Sequence, residues 1–592
     1  MPEIAPMLVE ERNFPRRSSL RPALSLSWLL LLLTFFLLLY GMVTPTEGGD
    51  TVRYAADAVQ HAHGHAAQFW EFGHLLWRPW GYLGLQWLGP WFERHYGDSE
   101  IQAVTRFFVW TNFACSLGTV IFIWGILQRL VSLPLATAIA LAFCGANGFL
   151  GYVTLGSAYI PALCFECLSL WILVTRARQE GAAGTVATAA AGFSYGVCVL
   201  LWFPFAFIGL GMIAALFWRP SQVKVRTSGD SRIEWRRAVL FILATAVVTI
   251  VGFTAGASAY GAHNAGDVKR WIAEADNGWS QRLNIVRAAT GVPRSLYELT
   301  SGNIFLKRWF FHDPYNPVHL SQLAGALFLK LLLFYVGVLA ILWALRKGTE
   351  RSTLFMLLSA AVPSLFFAIF IFEPGSTSRY VPVLPFLYMA AAVALEVSRA
   401  RPLVFGTIAA LLASVVMFNA WSLSHGSFAA AEEVRRQTRL LENDMTRPAS
   451  VFVPTLRDPL YYVPLTRPLD HTLVSRKYNV TDVIEIASTR LLHWRAEFAA
   501  RALQNWKAGS DVWVSKKLLA ARPTSGGTWV EGDDPRIKWK ELPDFFGQFA
   551  TDRSEGGEDG CVRVSESPAN RIILQKVIER DPGFKNGQAG KL

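Results

Sequence analysis

"LSLSWLLLLLTFFLLLYGMV" (Leu24–Val43) runs for twenty residues without a charge. An α-helix rising 1.5 Å per residue needs about that many apolar residues to cross ~30 Å of hydrocarbon. A basic lead with Arg12, Arg16, Arg17 and Arg21 precedes it. A cleaved secretory signal has the same charge order, but its apolar core is only ~7–15 residues and ends in a small-residue site. This block is longer and runs into "TPTEGGD" (Thr44–Asp50). It therefore reads as a retained membrane helix with its N-terminus in the cytoplasm.

The rest of the chain repeats the pattern. Of 592 residues, 52% are hydrophobic and 17% charged, where a soluble domain averages about a quarter charged. Apolar segments recur at 107–127, 134–150, 160–175, 186–202, 203–218, 238–260, 323–345, 353–372, 381–397 and 402–423. With the first, they predict an α-helical polytopic membrane protein of about 11 transmembrane helices. The charge pattern tests the count. Connectors near Arg129 and Arg176, from Trp218 to Arg237, and near Arg346 and Arg399 are basic, whereas those near Gly145–Tyr159 and Phe203–Pro204 carry no Lys or Arg. Basic loops stay in the cytoplasm, so this alternation fixes sidedness. It also accounts for the net charge of +12 without nucleic acid as a partner. "CFEC" (Cys164–Cys167) sits inside an apolar segment with no second pair, and reads as packing rather than as a metal or redox site.

The predicted domains are a basic N-terminus (1–23), a transmembrane domain (24–423) and an extracytoplasmic soluble domain (424–592). Two long outward loops, 44–105 and 261–320, belong to the transmembrane domain. The soluble part opens on an amphipathic stretch (Phe428–Met445) and a strand at "ASVFVP" (Ala449–Pro454). A helix follows at "TDVIEIASTRLLHWRAEFAARALQNW" (Thr481–Trp506), with Thr481 as its N-cap, and then a strand at "SDVWVSKKLLA" (Ser510–Ala520). These predict a small α/β or α+β domain.

The first outward loop interrupts the apolar pattern with ionisable groups. "GGDTVRYAADAVQHA" reads as a helix starting near Asp50, with Tyr54 one turn on. Beyond it, "QFWEFGHLLWRPWGYLGLQWLGPWFERHYG" (Gln68–Gly97) embeds Glu71, His74 and Arg78 among Trp, Phe and Tyr. Such residues favour the membrane–water interface, so one or two juxtamembrane helices holding a carboxylate at the membrane surface are expected. A general base at headgroup level suits attack by an acceptor hydroxyl on a lipid-linked sugar phosphate. The leaving phosphate then needs a cation. Candidates are Arg379 and Tyr380 in "EPGSTSRYVPVL" (Glu373–Leu384), and Arg308, His312 and Asp313 in "KRWFFHDPYNPVH" (Lys307–His319). Lys330 falls inside a span, where an ionisable group is a functional candidate; pairing with Glu166 of another span is the bland reading. "HAHGH" offers His61 and His65 at i, i+4, a metal spacing or simply a polar helix face.

The first helix, the outward loop with its early Asp, "GHLLWRPWGYL" and "SRYVPVLPFL" resemble the GT-C superfamily of polyprenyl-phosphate-sugar-dependent glycosyltransferases, which includes protein mannosyltransferases and lipid A aminoarabinose transferases. The resemblance spans roughly residues 20–420 in layout. It implies a polyprenyl-phosphate-linked sugar donor, a protein, lipid or glycan acceptor, a lipid bilayer setting in a bacterial inner membrane, and glycosyl transfer at its outer face. Carried over by position, Asp50 is the catalytic base. Tyr54, His74, Arg78, Arg308 and Lys330 become substrate-binding candidates, and Arg379 and Tyr380 meet the donor phosphate. Some members use a divalent cation and others none; no metal-ligand set is legible here. Two departures stand out: Asp50 is followed by Thr51 where many members pair acidic residues, and His74 is separated from Pro79. Alternatives are an undecaprenyl-diphosphate glycan ligase or polymerase, using the arginines of loop 261–320, and a non-enzymatic transporter or flippase, which would have no need of Asp50.

Overall fold

The computed structural model describes residues 22–43, 49–64, 69–96, 100–177, 179, 181–218, 230–274, 285–299, 302, 305–306, 309–310, 318–372, 374–444, 447–453, 480–485, 493–520, 541–555, 560–581 and 584. Arg308, His312, Asp313 and His65 lie outside these residues.

Helix α1 (Pro22–Met42) is followed by α2 (Gly49–Ala62), a 3-10 turn (Phe72–His74) and α3 (Trp77–Tyr96). The first long loop thus contains two helices, as expected. A bundle follows: α4 (Glu100–Leu127), α5 (Leu133–Cys144), α6 (Asn147–Val153), α7 (Tyr159–Thr175), α8 (Ala182–Leu201), α9 (Gly209–Phe217) and α10 (Asp230–Tyr260). Next come α11 (Ala265–Glu274), α12 (Ile285–Leu296), α13 (Leu320–Gly348), α14 (Arg351–Ile371), α15 (Leu384–Val397) and α16 (Pro402–Asp444).

All eleven apolar segments are helical, but they are not equally long. Among the described residues, eight helices are long and apolar enough to cross a membrane. The other three segments are a pair bent by 61° (Leu133–Cys144 with Asn147–Val153) and the shorter Tyr159–Thr175 and Phe203–Phe217. The shortening has a local cause. The connectors Thr154–Ala158 and Trp202–Phe205 fold into the bundle and are largely buried, and their polar backbone takes bonds from neighbours. Gly156 N–H donates to Thr51 Oγ1 at 3.1 Å and its carbonyl accepts from Trp77 Nε1 at 3.0 Å.

Several connectors contact one another. On one side Trp218 Nε1 bonds Thr353 Oγ1 (2.7 Å), Arg237 reaches the Gln179 carbonyl (2.7 Å) and Arg399 reaches Ser132 (3.1 Å). On the other, Trp271 bonds the Trp70 carbonyl (2.5 Å), Asn147 the Arg294 carbonyl (2.9 Å), and Thr51 receives Gly156. Each of these contacts joins connectors that the charge alternation puts on the same side.

Close packing rests on small residues. A Cβ on Gly84 would lie 2.2 Å from the Phe107 ring, and one on Gly211 2.3 Å from Ala360. The CFEC cysteines lie on α7, Cys167 fully buried, all unbridged.

Helix α16 passes through the expected boundary at Leu423 to Asp444. No proline interrupts Leu423–Asp444, so the amphipathic stretch continues the last apolar helix rather than starting a new element. The following domain is a five-stranded mixed sheet of β1 (Ala449–Val453), β2 (Val480–Glu485), β3 (Asp511–Ser515), β4 (Thr551–Glu555) and β5 (Cys561–Val564), ordered β2-β1-β3-β5-β4. β1 pairs parallel with β2 and β3, and β5 antiparallel with β3 and β4. Helices α17 (Trp494–Lys507), α18 (Glu541–Phe546) and α19 (Pro568–Glu579) supply Trp494, Phe498, Phe545, Phe546 and Leu574 to a core with Val512, Val514 and Val562. One expectation is corrected. Thr481 is not a helix N-cap: residues 480–485 form β2, and the helix starts at Trp494. The β-branched run Val480-Thr481-Asp482-Val483-Ile484 favours a strand, and pairing with β1 wins over the capping pattern.

Candidate active site

The ionisable residues of the first loop gather where α2, the Phe72–His74 turn and α3 meet. Arg78, in the first turn of α3, is completely buried. Its Nε donates to Asp57 Oδ2 at 2.6 Å, its Nη1 donates to Glu71 Oε2, and its guanidinium carbon lies 4.5 Å from the Tyr54 ring centroid. His74 Nδ1 stands 3.6 Å from Glu71 Oε2 and 3.5 Å from the Tyr54 hydroxyl. Two carboxylates thus balance the arginine and the imidazole edge. Burial pushes the Glu71 carboxyl up, but the hydrogen bond and charge of His74 and the charge and hydrogen bond of Arg78 outweigh it and hold Glu71 at about 2. The Glu71 carboxylate is therefore ionised at neutral pH and only weakly basic.

Asp57 was not legible as a site residue. Its signal is helical spacing: Tyr54 and Asp57, at i and i+3, share one face of α2. Asp50 is the second residue of that helix. The next residue, Thr51, is buried and accepts the Gly156 N–H, so the start of α2 abuts the connector that leads into α7. Three residues on from Gly156, the Tyr159 ring packs at a tilt against Trp202, with centroids 4.5 Å apart, and against His74 at 5.8 Å.

Trp202 joins both halves of the chain. The His74 ring lies parallel to it with centroids 6.5 Å apart, and the Arg379 guanidinium carbon lies 5.5 Å from its centroid and 3.8 Å from that of Phe372. His74 and Arg379, widely separated in sequence, thus meet around one buried indole. His74 Nε2 is buried with no hydrogen-bond partner among the described residues.

The other expected residues take different places. Tyr380 is fully buried and its hydroxyl donates to the Pro374 carbonyl at 2.8 Å. Lys330 is buried in α13 and donates to the Glu298 carbonyl at 2.7 Å. Among the described residues neither Glu166 carboxylate oxygen has a hydrogen-bond partner, so the suggested Lys330–Glu166 pair is not formed. Arg78 is committed to Asp57 and Glu71 rather than presented outward. His61 stacks on Phe69 at 3.7 Å, and among the described residues no three His, Cys, Asp or Glu side chains group to hold a metal.

No protein-family model matches the chain, and no curated protein matches it. Solved structures do. One is ArnT from Cupriavidus metallidurans bound to undecaprenyl phosphate, at 13% identity over 92% of this chain and 98% of that one, TM-score 0.49. The same protein in its apo state matches at 15% identity over 85% and 96%, TM-score 0.48. The archaeal oligosaccharyltransferase AglB from Archaeoglobus fulgidus, in complex with an inhibitory peptide and a dolichol-phosphate, matches at 12% identity over 93% and 75%, TM-score 0.44.

Proposed function

We propose that this protein transfers a sugar from a polyprenyl-phosphate-linked donor to an acceptor at the outer face of a bacterial inner membrane. The observation that carries the proposal is the meeting of His74 and Arg379 around the Tyr159–Trp202 pair, with Thr51 of α2 bonded to Gly156, three residues before Tyr159. An arginine there suits a reaction whose donor is anchored in the bilayer and whose leaving group is a phosphate.

Asp50 is the general base. It takes the proton of the acceptor nucleophile as that atom bonds to the anomeric carbon. The bond from that carbon to the phosphate oxygen breaks, and the oxygen leaves with the electron pair. Arg379 neutralises the developing phosphate charge, with its guanidinium oriented by the Phe372 and Trp202 faces. Arg308 is a second cation for the donor. His74, through Nε2, and Tyr54 line the substrate side. Arg78 acts indirectly, by holding Asp57 and Glu71. In this orientation the N-terminus is cytoplasmic and the C-terminal domain lies outside.

Mass spectrometry of envelope glycolipids and glycoproteins, with and without the protein, tests the proposal. Loss of a sugar of defined mass is expected, and Asp50→Asn protein should insert normally without restoring it. An unchanged envelope alongside altered solute uptake would replace the enzyme by a transporter. Loss of a whole polymeric glycan would indicate a ligase or polymerase.

A further inference from the structure

Two polar side chains inside the apolar spans are not explained by chemistry at Asp50: Lys330 on α13 and Asn419 on α16. Both converge on the end of α12. There the chain leaves its helix inside the bundle, with Tyr297 and Leu299 at 0% and 1% exposure. Non-helical backbone at such a depth survives only if protein groups satisfy it. Asn419 Oδ1 accepts the Glu298 N–H at 2.8 Å, while its Nδ2 donates to the Leu296 carbonyl and, at 2.7 Å, to the Gly145 carbonyl. Lys330 Nζ donates to the Glu298 carbonyl at 2.7 Å. Tyr335 of α13 and Asn147 of α6 bond the Ala289 and Arg294 carbonyls at 2.5 and 2.9 Å.

The opposite side of α12 carries the segment before α15. Arg294 Nη1 donates to the Gly375 carbonyl. Gly291 packs so closely that a Cβ would lie 2.1 Å from the Pro374 oxygen and 2.2 Å from the Tyr380 hydroxyl. Tyr380 closes the turn on Pro374. Helix α12 is a bracket: one side is tied into the bundle by polar side chains, and the other braces Pro374–Tyr380, which includes Arg379.

We propose that Lys330 and Asn419 are positioning residues. By satisfying the buried backbone of Leu296–Glu298 they fix α12, and through it the placement of Arg379. For activity, this rests on the reading of Arg379 given above. Lys330 then touches no substrate, and its cost inside the bilayer is offset by the carbonyl it satisfies.

Hydrogen exchange on the full-length protein in lipid nanodiscs tests the bracket independently of any activity. Lys330→Met and Asn419→Leu should each raise exchange of residues 289–298 and of residues 374–383 by tenfold or more, with α4 unchanged. Lys330→Arg, which keeps a donor, should restore both segments. If either variant folds too poorly to measure, Gly291→Ala perturbs the bracket from the other side and should loosen 374–383 alone. Faster exchange confined to 296–299 in Lys330→Met, or no rescue by arginine, would overturn the proposal.

Binding of a polyprenyl monophosphate separates the two readings. About tenfold weaker binding by Lys330→Met, restored by Lys330→Arg, supports both. Unchanged binding with a loosened 374–383 keeps the bracket and removes Arg379 from the donor site.

Discussion

Glu71→Gln isolates the charge cluster that orients α2. In the unfolded chain this carboxyl ionises near 4.5, and in the cluster at about 2. A depressed carboxylate stabilises the structure at pH values above its unfolded pKa, and that stability is lost as pH falls toward the folded value. At about 1.4 kcal/mol per unit, a difference of about 2.5 units corresponds to ~3 kcal/mol at pH 7. About 2 kcal/mol of that is gone by pH 3. Screening takes little of it, since the side chain is 14% exposed and its partner Arg78 fully buried. The gap between wild type and Glu71→Gln should therefore shrink from ~3 kcal/mol at pH 7 to ~1 kcal/mol at pH 3. Hydrogen exchange of α2 and the Phe72–His74 turn, corrected for intrinsic rates, reads it directly. Helix α8 serves as the internal reference. A gap of the same size at both pH values would refute the assignment of Glu71 as an ionised, doubly held group. Equal protection in the two proteins at pH 7 would do so more severely.

Asp50→Asn is expected to leave the fold intact and to lower transfer by at least about a hundredfold, the usual scale of a lost general base; wild-type turnover would remove Asp50 from catalysis. Gly156→Ala places a Cβ 2.4 Å from Thr51 Cγ2 and 2.7 Å from Phe108 Cβ, so α2 must shift. We expect a stability loss of about 1–3 kcal/mol by denaturant titration, together with lower kcat, and an unaltered kcat would uncouple the start of α2 from the reaction. Arg379→Gln should raise KM for the lipid-linked donor about tenfold or more, and Arg379→Lys should recover part of it; equal KM values in all three would exclude a phosphate contact. A reporter fused after Asp444 should respond as an extracytoplasmic one, and cytoplasmic activity would invert the topology.

The apolar blocks were legible because the bilayer imposes one rule on every span, whatever its neighbours: about twenty apolar residues and basic residues on one side. That rule could not give the shorter lengths of α7 and of the Phe203–Phe217 segment, which depend on buried connectors satisfied from elsewhere in the chain, as Gly156 is by Thr51. Local competition misled in the soluble domain. Thr481 and Asp482 look like a helix start until β1 supplies a parallel partner for Val480–Glu485, a contact across roughly thirty residues that no periodicity encodes.

The site divides along the same line. Asp50, His74, Arg78 and Arg379 could be singled out because ionisable groups are conspicuous among apolar ones. What each charge does was hidden, because it depends on partners brought by packing. Arg78 and Lys330 look alike in sequence, as cations with apolar surroundings. In the structure one is taken up by carboxylates on two neighbouring segments and the other by the Glu298 backbone carbonyl. Neither resembles Arg379, held by its flat face against Phe372 and near Trp202. A buried cation in a membrane protein therefore says that something nearby needs a donor, and only the three-dimensional neighbours decide whether that is the fold or a substrate. On the reading proposed above, Arg379, which lies against Phe372 and Trp202, is the cation that meets the donor phosphate.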